Sequence, residues 1–180
     1  MNEHIFLIGY RATGKSTIGR LLAKRLRFDF VDTDRLICKT RNTEISSIVA
    51  KEGWEAFRRY EAEALSEAAG GARRVVATGG GAILHREQWQ QIREKALVVW
   101  LSADLATLVA RLSRSGKGNA ARPSLTGGAI HAEIEVVLAE RTPLYRESSH
   151  LQVDTGKVGT AKGVEIIADA YRKRYGGSNG

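Results

Sequence analysis

Gly9-Tyr10-Arg11-Ala12-Thr13-Gly14-Lys15-Ser16-Thr17 stands between an apolar run, Ile5–Ile8, and a segment of helical periodicity that starts at Lys15. A glycine, four unspecified residues and then Gly-Lys-Ser, set between strand and helix, is the pattern of a phosphate-binding loop. The residue types follow from the task. Glycines let the backbone curl until successive N–H groups converge on phosphate oxygens. The helix that follows adds unpaired N–H donors and a positive end. Lys15 places a point charge on the β- and γ-phosphates, the Ser16 hydroxyl can ligand Mg²⁺, and Thr17 reaches toward the α-phosphate. The loop therefore implies a nucleoside triphosphate and leaves open what receives the phosphoryl group.

Outward from the loop, Ile5–Ile8, Arg74–Ala77, Leu97–Leu101 and His150–Val153 read as buried strands, with Phe28–Val31 a fifth. Nearly unbroken β-branched runs suit a parallel sheet covered on both faces. Lys15–Arg27 reads as a helix with Ile18, Leu21, Leu22 and Leu26 on one side. Trp54–Ala69, Arg86–Lys95, Asp104–Arg114, Ala129–Arg141 and Gly163–Tyr175 are the other expected helices. Strands alternating with helices predict an α/β domain of right-handed βαβ units spanning residues 1–175. The glycine-rich end, 176–180, is expected to be a flexible tail. Residues 113–128 carry four glycines, Pro123 and Arg122, and are expected to form a mobile lid.

A chain of 180 residues fits one domain and buries enough surface to fold without cross-links. Its single cysteine, Cys38, excludes an internal disulfide. Met-Asn-Glu-His leads into Ile5–Ile8 with no basic segment before a long apolar run, so no signal peptide is expected. No apolar stretch approaches the ~20 residues of a membrane span. These features predict a cytoplasmic protein with no membrane partner. The formal charge of +8 comes from dispersed basic residues without a run of five, and aromatics are sparse. That pattern fits a basic surface with some arginines serving an anionic pocket, not a nucleic-acid face.

Three further features bear on the acceptor. Asp32-Thr33-Asp34 follows the second strand, at the edge where open parallel sheets bind ligands. Asp32 can hold Mg²⁺ through its waters and Asp34 can accept hydrogen bonds from hydroxyls, although either could simply cap a helix over 35–39. Arg58 and Glu61 are three apart on an expected helix, so the carboxylate can hold the guanidinium fork ready for an anionic ligand. An exposed ion pair within the helix is the plainer alternative. Gly79-Gly80-Gly81 ends the third strand, where missing side chains admit a ligand to the backbone or merely make a turn.

Taken in order, Gly-x-x-x-x-Gly-Lys-Ser-Thr at 9–17, Asp-x-Asp at 32–34, Phe-Arg-x-x-Glu at 57–61, Gly-Gly-Gly at 79–81, Arg-Pro at 122–123 and Arg-x-Pro-Leu-Tyr at 141–145 resemble the bacterial-type shikimate kinase family. The resemblance covers nearly the whole chain. It implies a P-loop kinase fold like that of nucleoside monophosphate kinases, with a five-stranded parallel sheet flanked by helices and a mobile lid. It implies transfer of the γ-phosphoryl group of MgATP to the 3-hydroxyl of shikimate; a monomer is expected. ATP would lie on Ala12, Thr13, Gly14, Lys15, Ser16 and Thr17, with Arg114 near adenine and Arg122 in the lid. Ser16 and Asp32 would serve Mg²⁺. Asp34, Arg58, Gly79, Gly80, Gly81 and Arg141 would bind shikimate within an acceptor region over 32–62. Lys15, Asp34 and Arg122 would be catalytic. The family often has glycine where this chain has Ala12, which costs nothing at negative φ and strains a left-handed position.

Two other functions share the loop. One is another small-molecule or nucleoside monophosphate kinase; a nucleotide acceptor would need a second base pocket, which the sequence does not present, and a phosphorylated acceptor would sit poorly beside Asp34. A silent nucleotide-binding regulator would tolerate loss of Lys15, Asp34 or the acceptor arginines, all of which are retained. Trp54, Trp89 and Trp100 read as packing residues, with Trp54 close enough to Arg58 to line the acceptor pocket. His4, His85, His131 and His150 lack ligand spacing. Glu133, Glu135 and Glu140 read as a solvated helix face.

Overall fold

Ile5–Ile8 forms strand β1, and all four side chains are buried. Successive strand residues point to opposite faces, and here both faces are covered. Ile5 and Leu7 pack with Ile18 and Leu22, while Phe6 and Ile8 pack with Trp89 and Tyr145. An unbroken apolar run, not an alternation, is the consequence.

The computed structural model describes residues 3–71, 73–114 and 130–176. After β1 come α1 (Lys15–Leu26), β2 (Asp29–Asp32), α2 (Thr33–Arg41), α3 (Ile45–Ala68) and β3 (Arg74–Ala77). A 3₁₀ turn at Ala82–Leu84 leads into α4 (Arg86–Lys95), β4 (Leu97–Ser102), α5 (Leu105–Arg114), α6 (Ile130–Ser148), β5 (Leu151–Asp154) and α7 (Thr155–Tyr175). The five strands pair in the order β2-β3-β1-β4-β5, every pair parallel. Helices α1 and α7 cover one face, and α3, α4 and α6 cover the other. The expected five-stranded parallel sheet with flanking helices is what the chain forms. Parallel pairing brings all five carboxyl ends to one edge, so Gly9, Thr33, Thr78, Ala103 and Thr155 follow their strands along a single rim.

Several local expectations change. The buried stripe of α1 is Ile18, Gly19, Leu22 and Ala23, whereas Leu21 is 46% exposed. Gly19 belongs to that stripe because a Cβ there would come within 2.6 Å of the Phe30 ring. Helix α3 starts nine residues before Trp54 and breaks at Gly53, whose φ of 82° and ψ of 172° are non-helical. Helix α6 runs on from Arg141 through Pro143. A proline inside a helix costs about 3 kcal/mol, and the burial of Leu144 and Tyr145 just beyond it offsets that loss. Helix α7 begins at Thr155, capped by the Asp154 carboxylate, and breaks at Gly159 before the expected start at Gly163. The lid over 113–128 lies outside the described residues apart from Ser113 and Arg114, and Arg122 lies outside them too; of the tail, only Gly176 is described.

Candidate active site

The chain leaves β1 at Gly9 and enters α1 at Lys15, with three positive φ angles between: 138° at Gly9, 62° at Ala12 and 95° at Gly14. A side chain at Gly9 would collide with the Leu101 carbonyl at the end of β4, so glycine is needed for close approach as well as for its φ. Ala12 occupies the left-handed region, the costly alternative for a residue that carries a Cβ. The Thr13 hydroxyl donates to the Tyr10 carbonyl at 2.7 Å. Lys15 Nζ donates back across the loop to the carbonyls of Gly9 at 2.8 Å and Tyr10 at 2.7 Å. Gly14 caps α1 without a side-chain bond, so the first N–H groups of the helix face outward as anion donors. Thr17 is exposed on the first turn.

A brace behind the loop involves residues that sequence alone leaves unassigned. Arg111 Nη1 donates to the Ala12 carbonyl at 3.1 Å and to Thr155 Oγ1 at 3.0 Å, and its Nη2 reaches the Thr155 carbonyl at 3.0 Å. The Thr155 hydroxyl lies 2.9 Å from the Thr13 carbonyl. A signal for Arg111 existed: it falls between Leu108 and Leu112 on the buried face of α5, the wrong place for a solvated arginine. Arg114, one turn later, is exposed at the end of the helix.

At the end of β2, the Ser16 hydroxyl donates to Asp32 Oδ2 at 2.6 Å. Asp32 also caps α2, accepting from the Arg35 N–H at 3.3 Å. Metal ligation and helix capping are thus compatible, because the two carboxylate oxygens divide the work. A hydroxyl and a carboxylate converging beside a phosphate loop are hard oxygen donors of the type Mg²⁺ takes, with phosphates and waters completing the shell. Asp34 sits in the first turn of α2. Its Oδ1 and Glu61 Oε1 lie 2.7 Å and 2.9 Å from where a Cβ of Gly79 would be. The Thr33 hydroxyl accepts the Gly79 N–H at 3.0 Å, tying the two strand ends together.

Of the residues expected to bind the acceptor, Arg58, Gly80, Gly81 and Arg141 line a cleft of about 460 Å³, counting its open mouth, together with Tyr10, Arg11, Ile45, Trp54, Phe57 and Glu61, while Asp34 and Gly79 are not among its lining residues. Arg58 and Glu61 form the expected ion pair, but it is not an exposed one: Glu61 is 3% exposed. Burial pushes the Glu61 carboxyl above its ordinary range, against the pull of Arg58 and Arg141. The Arg58 guanidinium also lies 5.5 Å from the Trp54 ring. Gly81 has to be glycine, since a Cβ would overlap that guanidinium. Arg141, 5% exposed, donates through Nη1 to the Gly80 carbonyl at 3.0 Å, and the Tyr145 hydroxyl donates to the same oxygen at 2.9 Å. The Nε–H of Arg141 has no acceptor among the described residues. Buried donors almost always find a partner, so this N–H is open to an anionic ligand.

Glu133 contradicts its expected place on a solvated face. It is 3% exposed and pairs with Arg11 Nη2 at 2.8 Å, whereas Glu135 and Glu140 are exposed. Helix periodicity explains this: Glu133 shares the inward face of α6 with Ile134 and Val137.

Comparison with known proteins finds relatives along nearly the whole chain. A family model for shikimate kinase matches residues 11–172. The chain is 47% identical over 145 residues to a shikimate kinase of Nitratidesulfovibrio vulgaris, covering 81% of this chain and 82% of that one. It is 45% identical over 167 residues to shikimate kinase 2 of Dickeya chrysanthemi, covering 93% and 95%. Among solved structures, shikimate kinase from Acinetobacter baumannii in complex with shikimate superposes with a TM-score of 0.86 at 30% identity, over 96% of this chain and 94% of that one.

Proposed function

The chain belongs to the shikimate kinase family, and on that premise we propose that its rim transfers the γ-phosphoryl group of ATP to the 3-hydroxyl of shikimate, giving shikimate 3-phosphate and ADP. The observation that carries the acceptor's identity is the pair Arg58 and Arg141 in one cleft beside the phosphate loop, with a buried donor to spare. Two guanidinium groups suit one carboxylate, and Asp34 suits a hydroxyl. A nucleotide acceptor or a silent regulator has no comparable support.

Ala12–Thr17 bind the triphosphate: backbone N–H groups cradle it, and Lys15 exchanges its loop carbonyls for phosphate oxygens. Ser16 and Asp32 would hold Mg²⁺, which supplies charge neutralisation between the β- and γ-phosphates. Arg114 and Arg122 are the further ATP contacts that the resemblance assigns. Arg58 and Arg141 fix the carboxylate end of shikimate, and the Gly79–Gly81 backbone packs against the ring. Asp34 accepts the hydrogen bond of the 3-hydroxyl, orienting its oxygen in line with the γ-phosphorus. The new O–P bond forms as the bond to the β,γ-bridging oxygen breaks. In a loose transition state the hydroxyl proton leaves late, toward Asp34, so orientation is the larger contribution. A monomer is the state expected of the chain, and the need for ATP supports a cytoplasmic setting.

A coupled ADP-release assay tests the reading. Shikimate is expected to drive turnover, and quinate, gluconate and nucleoside monophosphates to give little. Arg58→Ala or Arg141→Ala should raise the KM for shikimate about 10- to 150-fold, far more than that for ATP. Well-folded protein without shikimate-dependent release would sink the proposal.

A further inference from the structure

Arg11 fills an unspecified position of the phosphate-loop pattern, yet its side chain lines the acceptor cleft together with Arg58, Glu61 and Arg141. Its placement is tightly held. Nη2 donates to Glu133 at 2.8 Å, Nε donates to the Tyr10 hydroxyl at 3.2 Å, and the guanidinium lies 5.5 Å from the Tyr10 ring. The pair is largely desolvated, at 14% exposure for Arg11 and 3% for Glu133. Glu133 also sits in the first turn of α6, where a negative charge is favoured. Nη1 of Arg11 has no acceptor among the described residues.

Position and charge both point to the acceptor's anionic end. The site of a Cβ on Gly80 would be 3.7 Å from the Arg11 backbone nitrogen and 3.8 Å from Arg141 Nη1, so the loop backbone at Arg11 and the Arg141 side chain both border Gly80. Arg58 is paired with Glu61 and Arg11 with Glu133, whereas Arg141 makes no ion pair among the described residues. That balance matches a monoanion, and the spare N–H groups of Arg11 add hydrogen bonds without adding net charge. We propose that Arg11 is a third acceptor-binding arginine, which reads the carboxylate of shikimate from the phosphate-loop side, and that Glu133 is the residue positioning it. This rests on the acceptor cleft assigned above. Since the phosphate loop supplies Arg11, the acceptor anion and the nucleotide are gripped by one short segment.

The test compares shikimate with its methyl ester, which lacks the charge, on folded wild type, Arg11→Met, Arg11→Lys, Glu133→Gln and the double variant Arg11→Met/Glu133→Gln. Arg11→Met should raise the KM for shikimate about 10- to 100-fold and reduce the preference for acid over ester, while the KM for ATP moves less than about threefold. Arg11→Lys should recover part of the loss, because it keeps the charge and can still reach Glu133. Glu133→Gln should raise the KM for shikimate less, and add nothing once Arg11 is methionine. An unchanged shikimate KM in Arg11→Met, or equal losses for acid and ester, would overturn the inference. If Arg58→Ala still raises the shikimate KM in that case, the cleft assignment survives. No turnover of shikimate by the wild type would overturn both.

Discussion

Ala12 carries a strain that its neighbours absorb. A left-handed residue with a Cβ costs about 1–2 kcal/mol, and the Arg111 hydrogen bond to its carbonyl helps to hold the backbone there. Ala12→Gly should therefore stabilise the fold by about 0.5–1 kcal/mol, the relieved strain outweighing the extra freedom of an unfolded glycine. Urea unfolding checks this, and a destabilised variant would show that the Ala12 methyl packs for more than its backbone loses. At this scale the sequence was informative where chemistry dictates a residue type. Lys15, Ser16, Asp32 and the glycines at 79–81 lie where their motifs imply. Arg11 was not legible, because the loop pattern leaves its position unspecified. Glu133 was not legible either, because a glutamate on a helix looks solvated until its partner arrives from 122 residues away.

Element boundaries failed where glycine or proline interrupts without ending a helix. Gly53 looks like a helix start, yet α3 continues on both sides of it, and both sides contribute to the cleft: Ile45 before the break and Trp54 after it. Its φ of 82° with ψ of 172° is a conformation open to glycine almost alone, and a Cβ there would meet nothing within 4 Å. Gly53→Ala is thus a test of backbone strain without a steric clash. It should cost about 1–3 kcal/mol and raise the KM for shikimate as the two halves of α3 reorient. Gly159 makes the same break in α7 with φ 72°, also in open space, and is not among the cleft's lining residues. Gly159→Ala should lose similar stability while leaving the shikimate KM unchanged, as urea titrations and saturation kinetics on both variants would show. Pro143 is the complementary case, a local breaker overridden because Leu144 and Tyr145 bury beyond it.

For the whole molecule, five parallel strands were legible from five apolar runs, but their order was not: strands buried on both faces carry no pattern that tells one neighbour from another. At the edge opposite the active site, the sheet is closed by two histidines whose role had no signature in sequence spacing. His4 Nδ1 accepts the Arg74 N–H at 3.1 Å, and His150 Nδ1 accepts the Val98 N–H at 3.1 Å. Both bonds require a neutral imidazole. Burial lowers the pKa of each, with Arg74 adding to the effect at His4, and Arg174 and Arg93 at His150, which falls to about 4. In the unfolded chain the same side chains titrate near ~6.5. Between those values the unfolded state binds protons that the native state refuses, so stability is complete above about pH 6.5 and falls as the pH drops toward 4. Glu61 acts in the opposite sense, since its raised pKa lets the native state take a proton first. The histidine contribution is therefore isolated by His150→Asn, whose side-chain oxygen can accept the Val98 N–H but does not titrate. Urea midpoints measured at pH 7.5, 6 and 5 should fall less steeply in the variant than in the wild type. Parallel slopes would mean that the imidazole at the start of β5 does not set the acid limit of the fold.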